Sequence, residues 1–380
     1  MTVGVLPGYG VKKLGVCSVC RLKRDGAAVR GKKGLIMKKV ALSLVLVAGL
    51  ATSAMAADMA TKAPPAPPAP PPSPWDVAIT AALMTDYNFR GITQSAHRPS
   101  TQAGFELRYT QSPQWQYYAG ISGESIDFPN RAAAEIDFYG GVRPTFDKLA
   151  LDFGVWYYYY PGGECFNSNV NTPCSPDGTN IPTSLPNGNV VKGNVSFIEG
   201  YAKATYTFND QWAAGIQEWY SPDVLNSGAD GWYTVGNITY TVPTAMLPSG
   251  IGMLVSGDLG YWALGTSDNF YCTATVLTSS GTACGAPYPG GVPWASYWNW
   301  DAGVSFTYKA FTLDLRYYDT NLSKADCNAF TSDHTDSGFA FSSINQTNIG
   351  GNIVGLPGSS WCGATFIAKL SFATNLSNIK

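Results

Sequence analysis

The side chains that could do chemistry in this 380-residue chain are few in kind. There are two histidines, His97 and His334. Both fall in connecting segments, and neither stands beside a recognisable nucleophile motif, so Ser/His hydrolysis finds no support and no catalysis is expected. Of the eight cysteines, Cys17 and Cys20 form a lone CxxC near the N-terminus. A zinc or redox role would need a second ligand pair or a thioredoxin-like context. The other six are Cys165, Cys174, Cys272, Cys284, Cys327 and Cys362. With histidine nearly absent, disulfides are the reading preferred over a metal centre, and neither metal nor cofactor is expected. What remains is charge. Only 13% of residues are charged, about half the usual share, and thirteen of them recur on one parity of alternating segments: Glu106, Arg108, Glu135, Asp137, Arg143, Asp152, Glu199, Lys203, Asp258, Asp301, Asp314, Arg316 and Lys369. A file of acids and bases spaced two apart can line water and bias passing ions, or pair across strands as a polar filling.

The elements that would position these residues are strands. From Trp75 onward no window carries a long helical period, whereas alternation recurs at about 76–86, 101–110, 115–124, 134–144, 148–160, 195–208, 211–220, 231–242, 250–263, 296–309, 310–319 and 363–376. The clearest case is SYWNWDAGVSFTYKAFTLDLRYYDT. There Trp298, Trp300, Ala302, Val304 and Phe306 oppose Asn299, Asp301, Ser305 and Thr307. After a turn at Lys309-Ala310, Phe311, Leu313, Leu315 and Tyr317 oppose Thr312, Asp314 and Arg316. One face is apolar, the other polar and charged. The stretch LALDFGVWYYYYPGG repeats the pattern and ends in Tyr157 to Tyr160, read as part of an aromatic girdle at a membrane headgroup layer.

Connection lengths alternate strictly. Short ones at 111–114, 146–148, 209–210, 243–250 and 309–310 interleave with long ones at about 87–100, 125–133, 161–194, 221–230, 264–295 and 320–362. An even strand count with tight turns on one side and long loops on the other predicts an all-β fold, a transmembrane antiparallel up-and-down barrel of about twelve strands in the bacterial outer membrane. A soluble Greek-key sandwich has no reason to segregate loop lengths by side. The six later cysteines fall in or beside the long, extracellular connections. The most economical of the 15 possible connectivities pairs Cys165 with Cys174, Cys272 with Cys284 and Cys327 with Cys362, as an oxidising envelope allows.

Upstream, MKKVALSLVLVAGLATSAMA (residues 37–56) reads as a secretory signal peptide with cleavage after Ala56; its apolar run is too short to span a bilayer. Residues 1–36 read as an upstream extension or n-region. Residues 57–74, with APPAPPAPPPSP, read as an extended periplasmic tether, and residues 75–380 as the barrel. Ten of the 24 Lys/Arg residues but one of the 26 Asp/Glu precede position 57. The remainder is therefore acidic, and nucleic acid is not an expected partner.

The expected partners are membrane lipid, small solutes or ions, and the machinery that assembles such barrels. The lumen-facing set holds eight acids and five bases, which favours a narrow channel for cations or small neutral solutes. The alternative is a non-conducting or surface-binding barrel acting through disulfide-pinned loops.

The segment DVAITAALMTDYNFRGITQSAHRPSTQAGFEL resembles the start of the TorF-type porin family of proteobacteria, in which a strand runs into a DYxFRGxSQT-like motif and a second strand follows. Asp86, Tyr87, Phe89, Arg90, Gly91, Ile92, Thr93 and Gln94 match it. EIDFYGGVRPTF, YYYYPG and Tyr220–Asp223 (YSPD) resemble later blocks, and the similarity runs from about Asp76 to Phe372. The resemblance implies an outer-membrane porin and makes Asp86, Tyr87, Phe89, Arg90 and Gly91 a motif fixed at the outer mouth of the pore. Arg90 would pair with Asp86 or with lumen acids. Barrels of this kind finish on an aromatic residue, whereas here Phe372 is followed by ATNLSNIK.

Overall fold

The computed structural model describes residues 73–166, 180–181, 185, 189–268, 270–271, 291–335 and 358–378. The expected signal peptide, the CxxC, nearly all of the tether, and Cys174, Cys272 and Cys284 lie outside the described residues.

Twelve long strands form one closed antiparallel barrel. They are β1 (Trp75–Met84), β2 (Ser100–Ser112), β3 (Trp115–Glu124), β4 (Glu135–Phe146), β5 (Leu149–Tyr159), β6 (Phe197–Thr207), β7 (Trp212–Ser221), β8 (Gly231–Thr241), β9 (Ile251–Leu264), β10 (Tyr297–Tyr308), β11 (Phe311–Thr320) and β12 (Thr365–Asn375). Each pairs with its sequence neighbours. β12 closes the ring on β1, from Ala78 opposite Asn375 to Met84 opposite Lys369. Every strand anticipated from alternation is present, with ends shifted by two residues or fewer. Closure leaves no unpaired edge, which a sheet within lipid requires.

The exterior is apolar. Phe105, Ile121, Phe153, Val155, Ile216, Ile238, Leu259 and Leu370 stand out from mid-strand with roughly half their surface free. Aromatic pairs ring both ends. At the tight-turn end Trp75 meets Tyr109, Trp115 meets Phe146, Trp212 meets Tyr240 and Phe311 meets Phe372. At the long-loop end Tyr157 meets Tyr159, Tyr220 meets Trp232 and Tyr261 meets Trp298. An apolar band between two aromatic girdles is the surface an outer-membrane barrel presents to lipid. Of the four consecutive tyrosines, only Tyr157 and Tyr159 join the girdle. Tyr158 and Tyr160 are buried inside, because side chains on a strand alternate.

Large inward side chains are accommodated by glycines on the next strand. A Cβ at Gly120 would sit 2.3 Å from the Tyr139 ring, and one at Gly260 the same distance from the Tyr233 hydroxyl. Among the described residues, the long connections hold one α-helix, α1 (Lys324–Thr331), which alternation could not reveal. Ser323 caps it by accepting from the Asp326 amide, and Cys327 on it is bonded to Cys362 with the two Cα atoms 6.0 Å apart. Cys165 is also disulfide-bonded.

Candidate functional site: the barrel interior and its plug

The first long connection, 85–99, turns into the barrel. Asn88–Phe89 pairs with Ile92–Thr93 as a two-residue hairpin whose turn is Arg90-Gly91. Both turn residues have positive φ, +51° and +83°, the geometry of a primed turn. Gly91 is required twice over. Its backbone is left-handed, and a Cβ there would lie 3.0 Å from Cβ of both Asn299 on β10 and Thr320 on β11.

The hairpin and the residue before it reach wall residues from β4 round to β11. The Tyr87 hydroxyl donates to Glu135 on β4 at 2.6 Å. Phe89 packs edge-on to Tyr158 on β5 and to Trp262 on β9. Arg90 donates twice to Glu199 on β6, at 2.9 and 2.7 Å. Its guanidinium carbon lies 4.2 Å from the ring centre of Tyr233 on β8, 4.4 Å from that of Trp262 and 5.8 Å from that of Trp219 on β7. The Tyr297 hydroxyl at the top of β10 donates to the Arg90 carbonyl. Burial opposes the charge on Arg90, but Glu199 and the phenols of Tyr158 and Tyr233 hold its pKa above the ordinary guanidinium value.

The segment is anchored from behind. Asp86, 4% exposed, accepts from Thr93 and Ser95 and meets His97 Nδ1 at 2.8 Å. Arg90 thus pairs with Glu199 and not with Asp86, whose oxygens are taken by its own loop. His97 is no freely solvated side chain: its Nε2 faces the Ser360 carbonyl at 2.9 Å. An imidazole with a carboxylate on Nδ1 has the bearing of a triad histidine, yet its other nitrogen meets a carbonyl acceptor where a nucleophile would stand. Both ring nitrogens facing acceptors favours the imidazolium; the Asp86 hydrogen bond, the largest influence, raises the His97 pKa above its ordinary value. The second histidine, His334, lies 3.4 Å from Asp127 and edge-on to Trp361. Above the hairpin, Ile92, Tyr271, Trp294, Leu322, Phe330, Trp361 and the Cys327–Cys362 bridge form one buried apolar cluster. The Thr93 amide donates to the Trp361 carbonyl. The outer mouth is therefore covered, with an apolar core built from several loops.

Below the hairpin lies a cavity of about 420 Å³, bounded by Tyr87–Gly91 and by wall residues that include Gln102, Glu124, Asp137, Trp156, Lys203, Gln217, Asp258, Asn299, Asp301 and Tyr318. Lys203 Nζ sits 4.5 and 4.6 Å from the ring centres of Tyr201 and Trp219. Lys369 bonds Gln102, which in turn donates to Glu124. Toward the tight turns, two charge networks run along the wall. Arg143 on β4 grips Glu106 on β2 with two bonds of 2.8 and 3.0 Å and touches Asp152 on β5 at 3.3 Å. Arg108 joins through Glu106 at 2.6 Å. On β9 to β11, Arg316 bonds Asp301 at 2.5 Å, Asp314 at 3.1 Å and Ser256 at 2.8 Å. Each network ties strands two or three apart, and neither crosses the barrel. Asp258 has no salt bridge among the described residues.

Near the upper end of the wall, Glu124, Glu135 and Asp137 gather with one oxygen from each within 4.8 Å of the others. Tyr87 and Tyr160 donate to Glu135, while Glu124 Oε2 and Asp137 Oδ1 accept no hydrogen bond. Among the described residues, this oxygen set is the group that could hold a hard cation, a different chemistry from the Cys/His site weighed from sequence. Sequence reasoning also passed over Glu124 and the inward aromatics Tyr158, Trp219, Tyr233 and Trp262. Their parity on each strand was the available signal: Trp219 shares that of Gln217, and Trp262 that of Asp258.

A family model described as "Bacterial protein of unknown function (Gcw_chp)" matches residues 68–185. Among curated proteins none matches. Solved structures similar to the chain include the NanC porin, 8% identical, with a TM-score of 0.35 and 78% of this chain and 98% of that one covered. An outer membrane channel from Pseudomonas putida F1 is 9% identical, with a TM-score of 0.34 and 81% and 97% covered. OccAB1 of Acinetobacter baumannii is 11% identical, with a TM-score of 0.31 and 79% of each chain covered. These likenesses are too distant to bear on mechanism. Architecture rests on the closed twelve-strand sheet and its girdled apolar exterior, and they place the chain in the bacterial outer membrane.

Proposed function

We propose that the chain is a channel for passive diffusion of small solutes or ions across the outer membrane, held shut at its outer mouth in this conformation by the hairpin at 88–93. The observation that carries the reading is the polar cavity of about 420 Å³ directly beneath that hairpin. A barrel serving only as a scaffold would have that volume filled, as small barrels are. Here the wall charges pair with partners along the wall, and the cavity stays open between the wall and the hairpin. A weak cation preference follows from the lining. Glu124, Asp137 and Asp258 face the cavity against Lys203, while Arg90 and Asp301 also face it but are engaged by Glu199 and Arg316. The resemblance of Asp86–Gln94 to the TorF-type motif, which implies a fixed structure at the outer mouth of a porin, supports the same reading.

A second reading has its own support. The outer loops form a buried apolar core with a disulfide, as a rigid surface for binding would, and such a barrel need not conduct. Liposome swelling with neutral sugars of increasing size separates the two. The channel reading expects slow swelling with the native chain and several-fold faster swelling with Arg90→Ala. Equal, background-level swelling for both would favour the binding surface.

A further inference from the structure

Arg90 is chemically a small organic cation on a tether, and the wall around it is built as a receptor for one. Glu199 presents both carboxylate oxygens to the guanidinium, and its side chain is 1% exposed. The Tyr158 hydroxyl donates to the same carboxylate at 3.1 Å, fixing its direction. Tyr233 and Trp262 stand 4.2 and 4.4 Å from the guanidinium carbon, and Trp219 closes a third side. All of these belong to the barrel wall, so the receptor stays when the hairpin leaves. Withdrawal of Arg90 would strand a buried carboxylate without a counter-charge, which is costly unless another cation enters.

We propose that Glu199, Tyr158, Trp219, Tyr233 and Trp262 form a binding site for guanidinium or alkylammonium solutes, that Arg90 occupies it in the closed state, and that such a solute displaces Arg90 to open the channel. The proposal rests on the channel reading and narrows the solute to a class. Cations over tryptophan and tyrosine faces, with a bidentate carboxylate behind, are recognised by ring quadrupole and charge together. A neutral solute of the same shape gains neither. Because Arg90 competes from a tether at an effective concentration on the order of millimolar, a free solute acts on the native chain only at or above that range.

The test is a titration of the refolded full-length Arg90→Ala chain with methylguanidinium chloride. It is followed by tryptophan emission and by melting temperature, with methylurea as the neutral isostere and sodium chloride as the ionic-strength control. The expected result is saturable quenching with a rise in melting temperature, weakened at least tenfold in Arg90→Ala/Glu199→Gln and absent with methylurea. No saturable response, an equal response to methylurea, or indifference to Glu199→Gln would overturn the proposal. Should Arg90→Ala fail to refold, Arg90→Gln keeps much of the side chain's bulk without its charge, and the same outcomes apply. Binding in a barrel that never conducts would keep the site and remove the channel, whereas conduction without binding would remove the site alone.

Discussion

At the scale of single residues, the closed state depends on Arg90 and Glu199. Truncating one partner of a buried ion pair leaves the other charge without compensation, which costs about 3–5 kcal/mol. Arg90→Ala is therefore expected to unfold at markedly lower urea, and Arg90→Met/Glu199→Leu, which removes both charges, to recover much of the loss. If the double variant is no more stable than the single one, the pair is not the source of the cost. His97 supplies a pH dependence. Its hydrogen bond to Asp86 raises its pKa above the ordinary imidazole value of 6.5. The stabilisation it gives the plug loop is therefore full below that ordinary value and is lost as pH rises through the higher native one. Ser360 and Asp333 face it from the last loop and act in the same sense. Proteolysis within 85–99 should accordingly quicken with rising pH in the native chain and lose that dependence in His97→Gln; faster cleavage at acid pH would contradict the assignment.

At the scale of elements, the strands were legible because lipid outside and water inside impose period-two alternation, most cleanly on β10 and β11. Among the strands expected from alternation, β7 and β8 alternate least cleanly. Their inward Trp219, Tyr233 and Val235 line the cavity as apolar and aromatic side chains beside Gln217, while Glu218 and Thr234 share the outward parity of Ile216 and Trp232, so the contrast between the faces is weak. The interior was thus hardest to read where aromatic side chains line it. The hairpin at 88–93 could not be seen for a related reason, since two-residue strands carry no period and only the Arg90-Gly91 turn marks them. The Arg143 and Arg316 networks were visible as parity but not as partners, because pairing between strands two apart depends on register. The sidedness itself can be tested. Phe153 is 44% exposed at the middle of β5, and Phe153→Arg should cost about 2–4 kcal/mol in a lipid-bilayer unfolding titration. Phe153→Leu, which keeps the position apolar, should move far less. A comparable loss for both variants would mean that Phe153 matters for its packing and not for its contact with lipid.

At the scale of the whole molecule, the barrel holds a polar cavity, a plug locked by one ion pair, and a cap of loops pinned by Cys327–Cys362. That combination accounts for an interior richer in aromatics than an open pore needs, because the upper half serves as the seat of the plug. It also locates the pairing of charge: closure uses Arg90 and Glu199, while the lower networks brace the wall. The most direct test of a channel closed by this hairpin is single-channel conductance in planar bilayers for the native chain and Arg90→Ala side by side, with reversal potentials under a salt gradient. The expected result is rare, brief openings for the native chain, long-lived discrete openings for Arg90→Ala, and cation preference in both. Folded, heat-modifiable protein that conducts in neither form would contradict the account, and so would an unplugged variant that conducts no more than the native chain.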